Sequence, residues 1–196
     1  MSYRVMPSES DDFRARVVVP LPPRRAAQVG PRPAVDVVVV VRDQQRTLAA
    51  RVRRLHAFLR DTLPFSARIT IADRASSDAT VAIAMQLATE LPRLRVLQIN
   101  EQSRGRALAA AWLTSDARVV ACMDFDIDND LTALLPLVAP VVAGHSEISI
   151  GAQVSALRAD VARRLIPHVV SRGQLFEMEL LVRARWARMR FQNLPA

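Results

Sequence analysis

Lysine is absent from the 196 residues, so all 27 basic side chains are arginine, and against 19 acidic residues they leave a net charge of +8. Loss of every lysine beside abundant alanine and valine has the look of coding bias, so the excess implies weak attraction to anionic surfaces and little more. Cysteine is nearly absent too. Cys122 is single, which excludes an internal disulfide, and its place inside an apolar run makes it a small core residue. Aromatic residues reach only 5% and are scattered, which excludes a stacking platform for single-stranded nucleic acid. The arginines do not gather on one element as a groove-binding surface requires, so no nucleic acid partner is expected. No apolar run is long enough to span a bilayer. The chain opens acidic and polar without a charged-then-apolar leader, so the expected location is cytoplasmic. His56, His145 and His168 have no ligand-like mutual spacing, and no metal role follows for them.

What is present is a repeating strand–helix pattern. Residues 1–33 hold Pro20, Pro22, Pro23, Pro31 and Pro33 with Arg24 and Arg25 between them, and read as a flexible Pro/Arg-rich tail in which Val17–Val19 offers one short edge strand. A single domain is expected over 34–196. Val35–Val41 is almost continuous valine, as in a parallel strand buried on both faces. Leu48, Val52, Leu55 and Leu59 then recur at helical spacing. A second strand ends at Asp73, and Ser76, Ser77 and Asp78 offer N-caps for a helix through Val81, Ala84 and Ala88 that stops at Pro92. Leu94–Ile99 is a third strand, followed by a helix over Ala107–Leu113 and a fourth strand over Val119–Met123. Leu131 to Val142 is a helical stripe shortened or kinked by Pro136 and Pro140, and 147–150 is a short fifth strand. Arg158–Val169 reads as one helix and Gly173 to about Met189 as another, with Leu175, Met178, Val182, Trp186 and Met189 sharing its apolar face. Strands alternating with helices imply a three-layer α/β domain around a mostly parallel sheet.

The chemistry concentrates where the fourth strand ends. Met123-Asp124-Phe125-Asp126-Ile127-Asp128 runs from an apolar strand into carboxylates, at the strand end where open α/β sheets bind ligands. Asp124 and Asp126 are two apart, so in an extended segment both point to the same side. Paired carboxylates there repel unless a cation or proton lies between them, and oxygen ligands of this kind suit Mg²⁺ or Mn²⁺ together with substrate phosphate. On the last helix Glu179 falls on the apolar stripe while Glu177 points away. Desolvation would raise the Glu179 pKa, unless one of the many arginines pairs with it.

Five segments occur in order: Ile71-Ala72-Asp73-Arg74-Ala75-Ser76-Ser77-Asp78-Ala79-Thr80, Arg104-Gly105-Arg106, Met123-Asp124-Phe125-Asp126, Ser149-Ile150-Gly151 and Phe176-Glu177-Met178-Glu179-Leu180-Leu181. Together they resemble the family-2 glycosyltransferases of the GT-A (Rossmann-like) fold, in particular the polyprenyl- or dolichyl-phosphate mannose synthase-like branch of actinobacterial type. The resemblance runs from about Val35 to the end. It implies transfer of a sugar from a UDP- or GDP-sugar to an acceptor such as a polyprenyl phosphate, with peripheral placement at the inner face of the membrane as a corollary. It also implies that Asp43, Asp73, Arg106 and Asp124 bind the nucleotide-sugar, that Asp124 and Asp126 hold Mg²⁺ or Mn²⁺, and that Glu179 orients or activates the acceptor. On this view residues 34–152 are the nucleotide-sugar half and 153–196 a shortened acceptor half.

The chain also departs from the family. Asp43-Gln44 stands where the family carries Asn-Glu, Val40 replaces a proline, Arg74 replaces Asn or Asp, and Gln153 replaces an arginine. Gly151-Ala152-Gln153 runs almost directly into Ser155-Ala156-Leu157-Arg158, where relatives insert an acceptor loop and amphipathic helix. Two readings follow: an active metal-assisted glycosyltransferase, or a degenerate paralogue that keeps the scaffold and acts as a binding or interaction protein.

Overall fold

The computed structural model describes residues 3–6, 15–20, 32–123, 131–151, 154–173 and 175–193. In chain order its elements are β1 (Tyr3–Met6), β2 (Ala15–Pro20), β3 (Val35–Val41), α1 (Leu48–Thr62), β4 (Ala67–Arg74), α2 (Thr80–Glu90), β5 (Leu94–Ile99), α3 (Arg104–Leu113), β6 (Val119–Met123), α4 (Leu134–Val142), β7 (Ile148–Ile150), β8 (Val154–Arg158), α5 (Ala159–Leu165), α6 (Phe176–Trp186) and β9 (Phe191–Asn193). The strands form one sheet in the order β1-β2-β5-β4-β3-β6-β8-β7-β9. Seven strands point one way; β2 and β8 oppose them, because each pairs antiparallel with its neighbours on both sides.

Alternation along the strands builds two cores. In β3 the side chains of Val35, Val37, Val39 and Val41 pack on one face with Leu48, Val52 and Leu55 of α1, Leu87 of α2 and Leu134 and Val138 of α4. Val38 points to the other face, with Leu108 and Trp112 of α3, Val161 of α5 and Phe176, Leu180 and Ala184 of α6. β6 divides likewise: Ala121 and Met123 join the first core, Val120 and Cys122 the second. The sheet is thus covered on both faces, which is why its central strands read as unbroken apolar runs.

In β3 one buried polar residue interrupts that pattern. Asp36, fully buried near the start of β3, accepts hydrogen bonds from Arg68 (2.6 Å), Thr70 (2.6 Å) and Ser115 (2.6 Å), with Arg95 at 3.6 Å. A buried carboxylate survives only when paired and hydrogen-bonded in this way. The network joins β3, β4 and β5 to the end of α3, at the sheet edge opposite the carboxyl ends of the parallel strands.

The last third differs from the expectation. In place of the single helix expected over Arg158–Val169, the chain leaves strand β8 at Arg158 and forms the seven-residue α5 and a 3-10 turn at Ile166–His168. β8 pairs with β6 and β7 on opposite sides, and a five-residue segment with Val154, Ala156 and Leu157 buried carries too few periods to declare itself by sequence. β1 and β9 were also unforeseen. Val17–Val19 fall within β2, which adds to the free edge of β5.

On α6 the buried face was misassigned. Phe176, Leu180 and Ala184 face the sheet, while Leu175, Met178, Val182 and Trp186 are exposed; Met189, beyond the helix end, is buried. Both sets recur at helical spacing, so the spacing alone does not choose between them. Gly105 lets α6 approach: a Cβ there would lie 2.5 Å from the Arg172 carbonyl oxygen and 2.6 Å from Phe176 Cβ.

Candidate active site

The carboxyl ends of β3, β4, β5 and β6 lie along one edge of the sheet, with Val41 opposite Asp73 and Val39 opposite Met123. The loops after β3 and β4 are laced together there. The Asp43 backbone N–H donates to Ser76 Oγ (2.9 Å), and that hydroxyl in turn donates to Asp73. The Asp43 carboxylate accepts from the Ser77 N–H at 2.8 Å. Gln44 N–H donates to the buried Thr80 hydroxyl (2.7 Å) and Gln45 N–H to Asp78 (3.1 Å). Asp43 and Ala75 both adopt left-handed backbone, at φ 50° and 54°, which turns the two loops toward each other. Asp73 itself is buried, and burial pushes its carboxyl above the ordinary aspartate range despite the Ser76 hydrogen bonds. The resemblance groups Asp43 and Asp73, and the fold places both against Ser76.

Arg74, beside Asp73, is directed to the Gln102 carbonyl oxygen at 2.7 Å. Arg106, half-buried on the first turn of α3, forms an ion pair with Glu101. Ser103 caps that helix by accepting from the Arg106 N–H and itself donates to the Arg172 carbonyl.

A second cluster sits over the end of β6. Arg104 pairs with Glu177 and reaches Cys122 Sγ at 3.5 Å, while Ser155 donates to the other Glu177 oxygen at 3.0 Å. Cys122 lies opposite Ser155 in the β6–β8 register, and from there the chain passes through Met123 directly into Asp124. Asp124 and Asp126 lie outside the described residues, as does Gln153. Among the described residues no three His, Cys, Asp or Glu side chains group to hold a metal. Of the residues the sequence offers for one, the hard oxygen pair Asp124 and Asp126 suits Mg²⁺ or Mn²⁺.

Of the two expectations for Glu179, the structure shows the arginine pair. Its carboxylate accepts from the Val170 N–H (3.0 Å), the Ser171 N–H (2.7 Å) and Arg183 (2.7 Å). Those donors hold its pKa down, to about 2, as the arginine-paired alternative requires and opposite to desolvation on an apolar stripe. Glu177, expected to point away, is the glutamate of α6 that reaches the strand ends. The buried face of α6, Phe176, Leu180 and Ala184, accounts for the direction of Glu177. A cavity of about 700 Å³ beside Asp116, Arg118 and Arg163 lies at the opposite sheet edge, remote from this chemistry.

The profile of one protein family, described as glycosyl transferase family 2, matches residues 36–192. The chain belongs to glycosyl transferase family 2. No curated protein matches it, but many solved structures share its fold. One is glucosyl-3-phosphoglycerate synthase from Mycobacterium tuberculosis, in complex with Mn²⁺, UDP and glucosyl-3-phosphoglycerate: 16% identity, TM-score 0.63, covering 82% of this chain and 69% of that one. The mannosyltransferase PcManGT from Pyrobaculum calidifontis, in complex with GDP-Man and Mn²⁺, gives 15% identity and a TM-score of 0.58 over 84% of this chain and 55% of that one. S. aureus TarS 1–349 gives 15% and 0.59 over 82% and 57%. The chain therefore spans little more than half the length of two of these three. At such identities the likeness shows the fold, a GT-A architecture of mostly parallel sheet flanked by helices.

Proposed function

We propose that this family 2 domain transfers a sugar from a UDP- or GDP-sugar to an acceptor presented beside α6. The carrying observation is the layout of the sheet edge: the laced Asp43–Asp73 loops on one side, the Glu177–Arg104–Ser155 cluster on the other, and β6 leading into Asp124-Phe125-Asp126 between them. Asp73 and Asp43 hold the nucleoside, and Arg106 exchanges Glu101 for the diphosphate. Asp124 and Asp126 hold Mg²⁺ or Mn²⁺, as the Mn²⁺ in the two complexes described above supports. When bound, that ion neutralises charge building on the leaving diphosphate.

Glu177 faces the acceptor. The acceptor oxygen forms a bond to the anomeric carbon as the carbon–diphosphate bond breaks, and the acceptor proton passes to the Glu177 carboxylate. An anionic acceptor such as a polyprenyl phosphate carries no such proton, and there Arg104 supplies the charge contact. Glu179 is a positioning residue that fixes the 170–171 backbone.

Nucleotide release from UDP- and GDP-sugars with Mn²⁺, over a panel of acceptors, tests the assignment. Glu177→Gln should lower kcat by about 10²-fold or more with donor KM little changed. Equal losses in Glu177→Gln and Glu179→Gln would contradict the division of roles. One observation favours the second reading, a scaffold without transfer: β7 and β8 are separated by only three residues in the chain, and Gly151 N–H donates to the Val154 carbonyl at 2.9 Å, where the family resemblance places an acceptor loop. Donor binding without release on any acceptor would support it.

A further inference from the structure

The outer face of α6 has no role in the site, yet it is the most apolar surface of the described residues. Leu175, Met178, Val182 and Trp186 are 60, 63, 40 and 77% exposed, while Phe176, Leu180 and Ala184 on the inner face are buried. At 3.6 residues per turn the two sets are centred roughly 150° apart, so the helix is apolar on two sides and only one is covered. Val170, 76% exposed, is held beside the outer set by the Glu179 hydrogen bonds to Val170 and Ser171. Scattered exposed apolar residues need no explanation, but five on one face mark a contact surface.

We propose that this face docks the protein on an anionic lipid bilayer. Charge selects the occupant. Arg172, Arg185 and Arg188 are exposed around the stripe, whereas its carboxylates, Glu177 and Glu179, are already committed to Arg104 and Arg183. The rim is therefore positive on a chain of net charge +8. A second copy would bring like-charged rims together. Anionic headgroups complement them, each surface arginine adding to the attraction. An exposed tryptophan among apolar neighbours suits the headgroup boundary, where its ring is buried and its N–H stays wet. The eleven residues of α6 extend about 16 Å, enough to lie in the interface plane, and among the described residues no helix is long and apolar enough to cross a membrane. The docking surface stands independently of the transfer chemistry.

Intrinsic fluorescence of the full chain, with cosedimentation, tests this on phosphatidylglycerol/phosphatidylcholine vesicles and on phosphatidylcholine alone. Trp112 is 1% exposed and Trp186 is 77% exposed, so a blue shift on adding vesicles reports Trp186. The expected result is a shift and sedimentation with anionic vesicles, diminished by salt and much weaker on neutral ones. Met178→Ser/Val182→Ser, which retains both tryptophans and changes only exposed positions, should weaken binding by about tenfold or more. Arg172→Gln and Arg188→Gln should each weaken it about fivefold. No shift with anionic vesicles, or binding that the serine double variant leaves intact, overturns the proposal. A concentration-dependent shift without vesicles, with dimer mass by light scattering, overturns it in favour of a second copy.

Discussion

Asp36→Ala isolates what the buried polar network contributes, because Asp36 lies at the opposite sheet edge from Asp73 and touches none of the proposed donor groups. Its carboxylate accepts from Arg68, Thr70 and Ser115, with Arg95 close by. Breaking a buried ion pair from one side costs about 3–5 kcal/mol, since the partner is left buried and uncompensated. Here the abandoned groups keep partial partners: Arg68 retains Asp116 at 2.6 Å, and Arg95 retains the Thr114 carbonyl at 3.1 Å. The loss should therefore fall at the lower end, about 3 kcal/mol. With a urea slope of about 2 kcal/mol/M, the unfolding midpoint would drop by about 1.5 M. Urea unfolding followed by circular dichroism reads this directly, and nucleotide-sugar affinity of the folded fraction should not move. A loss below about 1 kcal/mol would refute the claim that Asp36 is the keystone of this network. A lost donor affinity at full stability would refute the separation of the two edges.

Three further outcomes follow from the same geometry. Gly105→Ala forces a Cβ against the Arg172 carbonyl and Phe176, and should cost about 1–3 kcal/mol in thermal or urea unfolding; a neutral result would mean α6 is not seated on α3 as described. Leu180→Ala, on the inner face of α6, should cost about 2–5 kcal/mol, whereas Val182→Ala, two residues on, should stay within about 0.5 kcal/mol. Because the Glu179 pKa is lowered from 4.5 to about 2, its contribution is complete above the unfolded value and is lost as pH falls through that window; Glu179→Gln should flatten this part of the acid limb in thermal melts, and an unchanged limb would argue against the loop contacts.

The central sheet was legible because β3, β4, β5 and β6 are apolar runs bounded by turn residues, and each is followed by a helix with its own stripe. The same reasoning passed over Asp36, whose partners Ser115 and Thr70 are distant in sequence and meet it only once the strands pair. β8 is not legible because five residues, with Ala156 and Leu157 buried side by side, resemble the opening of a helix when Ala159–Leu165 follows. α6 was misread for a different physical reason. Periodicity reports that apolar residues share a face but not that the face is covered, and this helix carries two such faces. The covered face sets where the glutamates go: Glu177 reaches Arg104 and Ser155, and Glu179 the 170–171 backbone and Arg183. Asp73 is legible as the carboxylate that ends a strand and Asp43 through the family resemblance, whereas the lacing through Ser76, Ser77 and Thr80 depends on left-handed backbone at Asp43 and Ala75.

Calorimetric titration of the intact chain with UDP- and GDP-sugars, first with Mn²⁺ and then with the metal chelated, tests the donor site most directly. The account predicts saturable binding of at least one nucleotide-sugar that is lost on chelation, and lost in Asp124→Asn/Asp126→Asn protein of unchanged thermal stability. No heat with any nucleotide, or binding indifferent to both metal and substitution, would contradict it.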